Sequence, residues 1–181
     1  MERLLSGAAQ LGLNLTPAQL AAFHVYSQEL LEWNQQFNLT AITEPEQVET
    51  RHFLDSLALI PALAGQEGIS APALLARNLR VVDVGAGAGF PGLALRIIWP
   101  RARICLIEAT GKKVRFLEHV ARKLGFSDVQ LVQGRAEELG LREPHRASYD
   151  LVLARAVATL PTLVEYLLPL ARRGGRVVAY K

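Results

Sequence analysis

The stretch VVDVGAGAGFPG, residues 81–92, decides the fold of this 181-residue chain. It begins as an apolar run and continues into three glycines at alternate positions, Gly85, Gly87 and Gly89. Pro91 follows them and suits the first turn of a helix. A glycine-rich turn between a strand and a helix is typical of doubly wound α/β sheets, in which ligands bind beyond the carboxyl ends of the strands. Residues 81–92 therefore predict both a parallel sheet and a ligand site at its edge.

The residues after this turn alternate between short apolar runs and helical patterns, as parallel strands with crossover helices do. The predicted strands are 80–84, 103–107, 129–132, 149–154 and 176–180. The predicted helices are about 91–99, 111–124 and 160–172, with one further turn near 136–139. Because the chain reaches Lys181 as the fifth strand ends, we expect the sheet to lack further strands on its C-terminal side.

The first third of the chain predicts helices instead of strands. Thr16-Pro17-Ala18-Gln19 is a capping box, and the helix that it opens is expected to end near Asn38. Thr43-Glu44-Pro45-Glu46 reads as a second capping box. We therefore expect a helical cap over 1–64, a linker over 65–78 and an α/β domain over 79–181.

Composition argues against several other classes of protein. Half of the residues are hydrophobic and a fifth are charged, which is typical of a globular domain and not of a disordered chain. The single cysteine, Cys105, allows no internal disulfide, and the four histidines lack zinc-type spacing, so we expect no metal. With no bilayer-length apolar stretch and no signal-peptide pattern, we expect a cytoplasmic protein that does not enter membranes, and a monomer.

A spaced acidic residue strengthens the ligand prediction. Glu108 ends the second predicted strand, 19 residues beyond Gly89, where a carboxylate can accept hydrogen bonds from both ribose hydroxyls of a nucleoside cofactor. Asp83 would repel a pyrophosphate but favour the ammonium and sulfonium groups of S-adenosylmethionine, and the alternative is that it only fixes the turn. Residues 87–92 also fit the dinucleotide pattern G-x-G-x-x-G, so a nicotinamide cofactor stays open at this point.

Charge is distributed unevenly along the chain. Residues 1–78 carry a net charge of −5 and residues 79–181 a net charge of +8, which predicts that the C-terminal part contacts a polyanion. Lys112, Lys113 and Arg115 open the helix after Glu108, where cations oppose the helix dipole. We predict that these three residues and Lys181 contact RNA phosphates, with a merely solvated surface as the alternative.

Seven motifs carry a resemblance to a known family, the bacterial small-subunit ribosomal RNA guanine-N7 methyltransferases, also called RsmG or glucose-inhibited division protein B. The resemblance extends from Asn38 to Lys181. The motifs are NLTAI (38–42), HFLDSL (52–57), DVGAGAGFPGLAL (83–95), IEATGKKVRFLEHV (107–120), GRAEEL (134–139), ARAVATL (154–160) and GGRVVAYK (174–181). The resemblance implies a class I methyltransferase fold, which is Rossmann-like.

The resemblance also implies a reaction: transfer of a methyl group from S-adenosylmethionine to N7 of guanosine 527 in the 530 loop of 16S ribosomal RNA. The target would be the RNA or the small ribosomal subunit. Guanine N7 presents an unprotonated lone pair, so the reaction needs positioning and a suitable field but no general base. An (Asp/Asn)-Pro-Pro-aromatic motif, usual for methylation of exocyclic amines, is absent at 154–157, where the chain reads ARAV.

Site residues follow from the resemblance motif by motif. The implied cofactor contacts are Gly85, Gly87, Phe90, Glu108, Ala136, Glu137 and Arg155. Glu108 would hold the ribose, Ala136 and Glu137 would border the adenine, and Arg155 would stand beside the methyl-transfer centre. Arg155 suits the O6 edge of guanine, although an ion pair without a catalytic role is the alternative. His52 and Asp55 are interpreted first as a buried polar bracket and second as contacts to the target base.

Three other functions stay open from the sequence. An NAD-dependent oxidoreductase would bind the dinucleotide tightly, and a small-molecule methyltransferase would share the cofactor site without salt-sensitive RNA binding. A noncatalytic RNA-binding module would not depend on Glu108.

Overall fold

In the computed structural model of the protein, residues 1–155 and 160–180 are described, and helices come first along the chain. A π-helical segment, Glu49–Leu54, joins the third helix to the fourth. The helices that precede the sheet are α1 (Glu2–Gln10), α2 (Pro17–Phe37), α3 (Pro45–Val48), α4 (Asp55–Leu57), α5 (Leu59–Glu67) and α6 (Ala71–Leu75).

Five parallel strands follow in the described part of the chain, in the order β3-β2-β1-β4-β5. They are β1 (Arg80–Val84), β2 (Arg103–Glu108), β3 (Gln130–Gln133), β4 (Tyr149–Arg155) and β5 (Ala171–Tyr180). The helices between them are α7 (Gly92–Ile98), α8 (Gly111–Lys123), α9 (Ala136–Leu139) and α10 (Leu160–Leu167), which a 3-10 turn (Leu168–Leu170) extends. The predicted doubly wound parallel sheet with preceding helices is therefore confirmed.

The last strand begins earlier than the sequence predicts. Tyr149 pairs with Ala171, whereas Leu151 pairs with Arg176, so β5 has three more residues than β4 between these pairs and bulges there. Gly174 adopts a positive φ of 75° in this bulge. The predicted helix over 160–172 is correspondingly too long, because Pro169 lies in a tighter 3-10 turn and the chain extends at Ala171.

Both faces of the sheet are buried, which explains the near-continuous apolar strands. One face, which includes Leu106 and Leu153, packs in a single core with Phe23 of α2 and Phe53 of the π-helical segment. The opposite face packs against α10 through residues such as Val152 and Leu167. The N-terminal helices thus share a core with the sheet.

The ends of the N-terminal helices test the capping predictions. The Thr16 hydroxyl accepts a hydrogen bond from the Gln19 amide, and the Gln19 side chain accepts one from the Thr16 amide, so the first capping box is confirmed. Asn38 ends α2 in the left-handed conformation, as predicted. The second capping box is wrong: Glu44 precedes α3 without a side-chain cap, and the Glu46 carboxylate pairs with Arg3 instead.

Two further segments depart from simple expectation. The sequence predicts a helical cap over 1–64 but no bounds for helix α1. This helix contacts the π-helical segment through a hydrogen bond from the Leu4 amide to Glu49 Oε2, 2.9 Å long. Residues 65–78, the predicted linker, contain the end of α5 and the whole of α6, whose Leu74 is buried. The proposed division into domains at these residues stays a prediction. In the described part of the chain, we find no helix with the length and apolar character to cross a membrane.

Candidate active site

The turn between β1 and α7 is built from glycines in a conformation that other residues rarely adopt. Gly85, Gly87 and Gly89 have φ angles of 67°, 58° and 94°. Space is also limiting, because a Cβ atom on Gly89 would lie 2.3 Å from the Tyr26 hydroxyl. The Gly85 amide donates to the carbonyl of Ile107 in β2, 2.8 Å away, so the turn is fixed at the carboxyl edge of the sheet.

Asp83 lies beneath this turn with no exposed surface. Its Oδ2 accepts a hydrogen bond from the Gly92 amide at 2.8 Å, at the first residue of α7. A Cβ on Gly92 would lie 2.8 Å from that oxygen and 2.3 Å from Leu106 Cδ2, so only glycine fits there. Oδ1 has no hydrogen-bond partner. Burial raises the pKa of Asp83 to about 7, with a further upward contribution from Glu108, while the Gly92 amide and the Arg155 charge oppose the shift.

Glu108 ends β2 and ties the turn to its neighbouring strand. Its Oε2 accepts a hydrogen bond from the Gly87 amide at 2.9 Å, and its Oε1 accepts one from the Thr110 amide at 2.8 Å. Each carboxylate oxygen can accept more than one hydrogen bond, so both retain acceptor capacity for ligand hydroxyls. The carboxylate is thus held in place before any ligand is bound.

A cavity of about 430 Å³ opens beside Glu108 at the carboxyl edge of the sheet. Its volume lies within the usual range for small-molecule sites. Five of the predicted cofactor residues form part of its wall: Gly85, Glu108, Ala136, Glu137 and Arg155. The other wall residues are Val84, Ile107, Ala109, Lys113, Gly134, Arg135, Thr162 and Tyr166. Thr162 and Tyr166 were not predicted as site residues, because their segment reads only as an amphipathic helix.

The remaining predicted cofactor residues, Asp83, Gly87 and Phe90, lie outside this wall. Phe90 is buried, and its ring stacks on Tyr26 (centroids 5.1 Å apart) and on His52 (4.4 Å). The Tyr26 hydroxyl also donates to the Ala88 carbonyl at 2.5 Å. The N-terminal helices therefore hold the glycine turn from behind. Sequence reasoning missed Tyr26, and the available signal was that a tyrosine at a buried helical position needs a polar partner.

Arg155, at the end of β4, is held by the π-helical segment. Its Nη2 donates to the Arg51 carbonyl at 2.8 Å and lies 3.2 Å from His52 Nδ1. Its Nη1 lies 3.1 Å from Asp55 Oδ2 as an ion pair, but makes no hydrogen bond of good geometry. Both predicted bracket residues contact Arg155, but only His52 is buried, so the prediction of a buried polar bracket is wrong for the exposed Asp55. Burial, together with the Arg155 charge, lowers the pKa of His52 to about 4, so this imidazole is neutral at pH 7.

The first turns of α8 carry three of the predicted RNA-contact residues. Lys112 and Arg115 are exposed in the first turns of α8, and Lys113 forms part of the cavity wall. Within the described residues, none of the three has an ion-pair partner, and α8 has no acidic residue in its first turn. Lys181, the fourth predicted contact, lies outside the described residues. No group of three potential metal ligands occurs in the described ranges 1–155 and 160–180.

Comparison with known proteins shows a close likeness over the whole chain. Residues 19–181 match the model of a family described as rRNA small subunit methyltransferase G. The ribosomal RNA small subunit methyltransferase G of Dehalococcoides mccartyi is 45% identical over 181 residues, covering 100% of this chain and 72% of that protein. The protein of the same name from Roseiflexus castenholzii is 47% identical and covers 100% of this chain and 73% of its own length.

Solved structures share the fold at low sequence identity. A variant of MtNAS in complex with S-adenosylmethionine superposes with a TM-score of 0.54 at 17% identity, covering 89% of this chain and 59% of that one. A Methanococcus maripaludis protein provisionally assigned to the S-adenosyl-L-methionine-dependent methyltransferases gives a TM-score of 0.55 at 17% identity, covering 74% and 58%. These likenesses confirm the predicted class I methyltransferase fold.

The raised pKa of Asp83 predicts a specific pH dependence of stability. Between its ordinary pKa of 3.8 and the folded value of about 7, the folded chain binds a proton that the unfolded chain has released, so stability falls as the pH rises through this range. Asp83→Asn removes this titration. The free energy of unfolding of Asp83→Asn minus that of the wild type should therefore increase by up to about 3 kcal/mol from pH 5 to pH 8. Urea denaturation of both proteins at the two pH values measures this, and parallel pH profiles would contradict it.

Proposed function

The chain belongs to the rRNA small subunit methyltransferase G family, and from this premise we propose that it methylates N7 of guanosine 527 in 16S ribosomal RNA, with S-adenosyl-L-methionine as methyl donor. The observation that carries the proposal is the cavity in which the glycine turn, Glu108 and Arg155 meet at the carboxyl edge of the sheet. We expect the substrate to be the RNA or the small ribosomal subunit. We further propose that the protein is cytoplasmic, as a ribosomal substrate implies, and that it acts as a monomer.

The residues present fit the cofactor that we propose. Because Gly85 has no side chain, a ligand can approach its backbone closely at the cavity wall. The Glu108 carboxylate is already held by two backbone amides and suits the two ribose hydroxyls. Ala136 and Glu137 would border the adenine. When bound, S-adenosyl-L-methionine supplies an electrophilic methyl group on a sulfonium. Asp83 has no exposed surface, so it would not touch the cofactor and would act by holding the turn. Its negative charge would also attract a cationic ligand, and the positive charge of that ligand would in turn favour the ionised carboxylate.

Arg155 is the residue that we assign to the reacting base. Guanine N7 already carries a lone pair, so the protein must align the base and stabilise charge, and no side chain has to remove a proton. Arginine donates well to the O6 and N7 edge of guanine. Nη2 donates to acceptors on the π-helical segment, and Nη1 lies 3.1 Å from Asp55 Oδ2 as an ion pair without good hydrogen-bond geometry. We assign the guanidinium of Arg155 as the donor to guanine O6.

The exposed cations at the start of α8 supply the RNA contacts in this proposal. Lys113 forms part of the cavity wall, and Lys112 and Arg115 lie in the same first turns of α8, so a phosphate backbone bound along these turns would bring a nucleotide towards Arg155. Such contacts give affinity without sequence choice. Lys181 is proposed for the same role from the sequence.

The first test of the proposal is methylation itself. The purified chain is incubated with radiolabelled S-adenosyl-L-methionine and either 16S ribosomal RNA or small subunits that lack the modification. Borohydride reduction followed by aniline, which cleaves RNA at N7-methylguanosine, should then cut at position 527. Substrate with adenosine at 527 is the control and should incorporate no label. Incorporation at another nucleotide, or none into either substrate, would contradict the proposal.

Replacement of Glu108 tests the cofactor site directly. Glu108→Gln removes the charge that would bind the ribose hydroxyls, so affinity for S-adenosyl-L-methionine should fall by about tenfold to a hundredfold, the usual effect of losing a charged hydrogen bond. Calorimetric titration measures it, with Glu138→Gln as the matched control, since Glu138 is an exposed glutamate that does not form part of the cavity wall. NAD should show no saturable binding to the wild type. Saturable NAD binding would instead favour the oxidoreductase alternative.

The cations of α8 predict a salt-dependent effect on RNA binding. The triple variant Lys112→Gln, Lys113→Gln and Arg115→Gln should weaken RNA binding and reduce the slope of log K against log salt by about 2 to 3, because each lost phosphate contact removes roughly 0.7 to 0.9. Filter binding across a salt series measures the slope.

A variant with the same change in net charge separates local contact from overall charge. Arg101→Gln, Arg103→Gln and Arg173→Gln alter three exposed residues toward the amino ends of the strands, away from the cavity. This control should keep most of the wild-type slope. Equal losses in the two triple variants would show that the α8 cations have no special role.

A further inference from the structure

The guanidinium of Arg155 is held in one orientation by residues more than 100 positions earlier in the chain. Both contacts of Nη2 come from the π-helical segment: the Arg51 carbonyl and His52 Nδ1. A free arginine side chain loses roughly 2 kcal/mol of rotamer entropy when it is fixed. An arginine that is already fixed avoids that loss when substrate binds, which is the advantage of a preorganised site.

The contact between Arg155 and His52 specifies the protonation state and the tautomer of the imidazole. A guanidinium only donates hydrogen bonds, so Nδ1 must accept, and the ring must be neutral with its proton on Nε2. Nε2 lies 2.9 Å from the Thr40 hydroxyl oxygen, which can accept this proton. The same oxygen also accepts a hydrogen bond from the Ile42 amide at 3.1 Å, so Thr40 is itself fixed. The low pKa of His52, about 4, agrees with a neutral ring across the physiological range.

The imidazole is also in contact with the glycine turn. Its ring stacks on Phe90, with an angle of 10° between the planes, and Phe90 directly follows the last glycine of the turn. His52 therefore connects Arg155, by a hydrogen bond, to the glycine turn, which contributes Gly85 to the cavity wall. The same side chain contacts three parts of the site: Thr40 after α2, Phe90 in the turn, and Arg155 at the end of β4.

We propose that His52 is a positioning residue for the methyl transfer: as a neutral hydrogen-bond acceptor fixed by Thr40 and Phe90, it occupies Nη2 and so orients the guanidinium of Arg155 at the cavity wall. The proposal rests on the proposed function, because it assigns His52 a part in that reaction. His52 itself contacts neither the cofactor nor the base in this assignment. Its effect is transmitted through the orientation of the guanidinium.

Two substitutions at His52 separate its two hydrogen bonds. The amide oxygen of His52→Asn can take the place of Nδ1 and accept from Arg155, whereas the longer side chain of His52→Gln places its amide near Nε2 and Thr40. Both variants lose the stacking on Phe90 to the same degree. A difference in kcat between them therefore reports the acceptor for Arg155.

We expect His52→Asn to retain most of the wild-type kcat and His52→Gln to lose about tenfold, as for one hydrogen bond to a charged group. The KM for RNA should change little in either variant, and urea denaturation should show the two to be equally stable. A purely structural role for His52 would lower the activity of both variants together. Equal kcat values in the two variants, or full activity in His52→Gln, would overturn the proposal.

A spectroscopic measurement keeps this result distinct from a failure of the proposed function. Long-range ¹H–¹⁵N correlation spectra of the wild type at pH 7 should show His52 neutral with the proton on Nε2. In Arg155→Met, the Nδ1 signal should shift because its donor is lost. A protonated ring, or a proton on Nδ1, would overturn the positioning proposal even in an active enzyme. If the expected tautomer is found but guanosine 527 is not methylated, the proposed function is what has failed.

Discussion

The Asp83 carboxylate accepts a hydrogen bond from the Gly92 amide inside a core that excludes water, and the rest of the site is arranged around this contact. It fixes where α7 begins, and hence the path of the three glycines before it. The path of the turn then presents the Gly87 amide to Glu108. A buried carboxylate with one oxygen unpaired is unfavourable for stability, since burial disfavours its charged form. Such strain is usual where a protein holds a residue for function.

The site is built from two parts of the chain that meet at the carboxyl edge of the sheet. The strands supply Asp83, Glu108 and Arg155, as expected for a doubly wound fold. The N-terminal helices supply Tyr26, which holds the turn, and His52, which holds Arg155. The N-terminal helices therefore contribute residues that fix the geometry of the site, in addition to covering one face of the sheet. They reach the site because their apolar residues share a core with one face of the sheet.

Local patterns explain which features could be predicted from the sequence. The positions of the first four strands, the glycine turn and the end of α2 at Asn38 depend on neighbouring residues, and these predictions are confirmed. The second capping box is wrong because the N-cap of α3 is Glu44 and not Thr43, and Glu46 pairs with Arg3, a residue 43 positions away. Strand β5 starts early because of a bulge that pairing with β4 defines. The partners of Tyr26 and Arg155 are likewise distant in sequence. Periodicity shows that Tyr26 is on a helix, but it cannot show that the Ala88 carbonyl lies opposite its hydroxyl.

The hydrogen bond from Tyr26 to Ala88 couples the helices to the turn thermodynamically. A ligand that binds only the folded turn stabilises every element whose unfolding would release that turn, by about 2.7 kcal/mol at a concentration a hundred times its Kd. Helix α2 is among those elements because its Tyr26 contacts the turn and its Phe23 lies in the common core. Occupancy of the cavity would therefore slow the local opening of α2, although the wall of the cavity includes no residue of that helix.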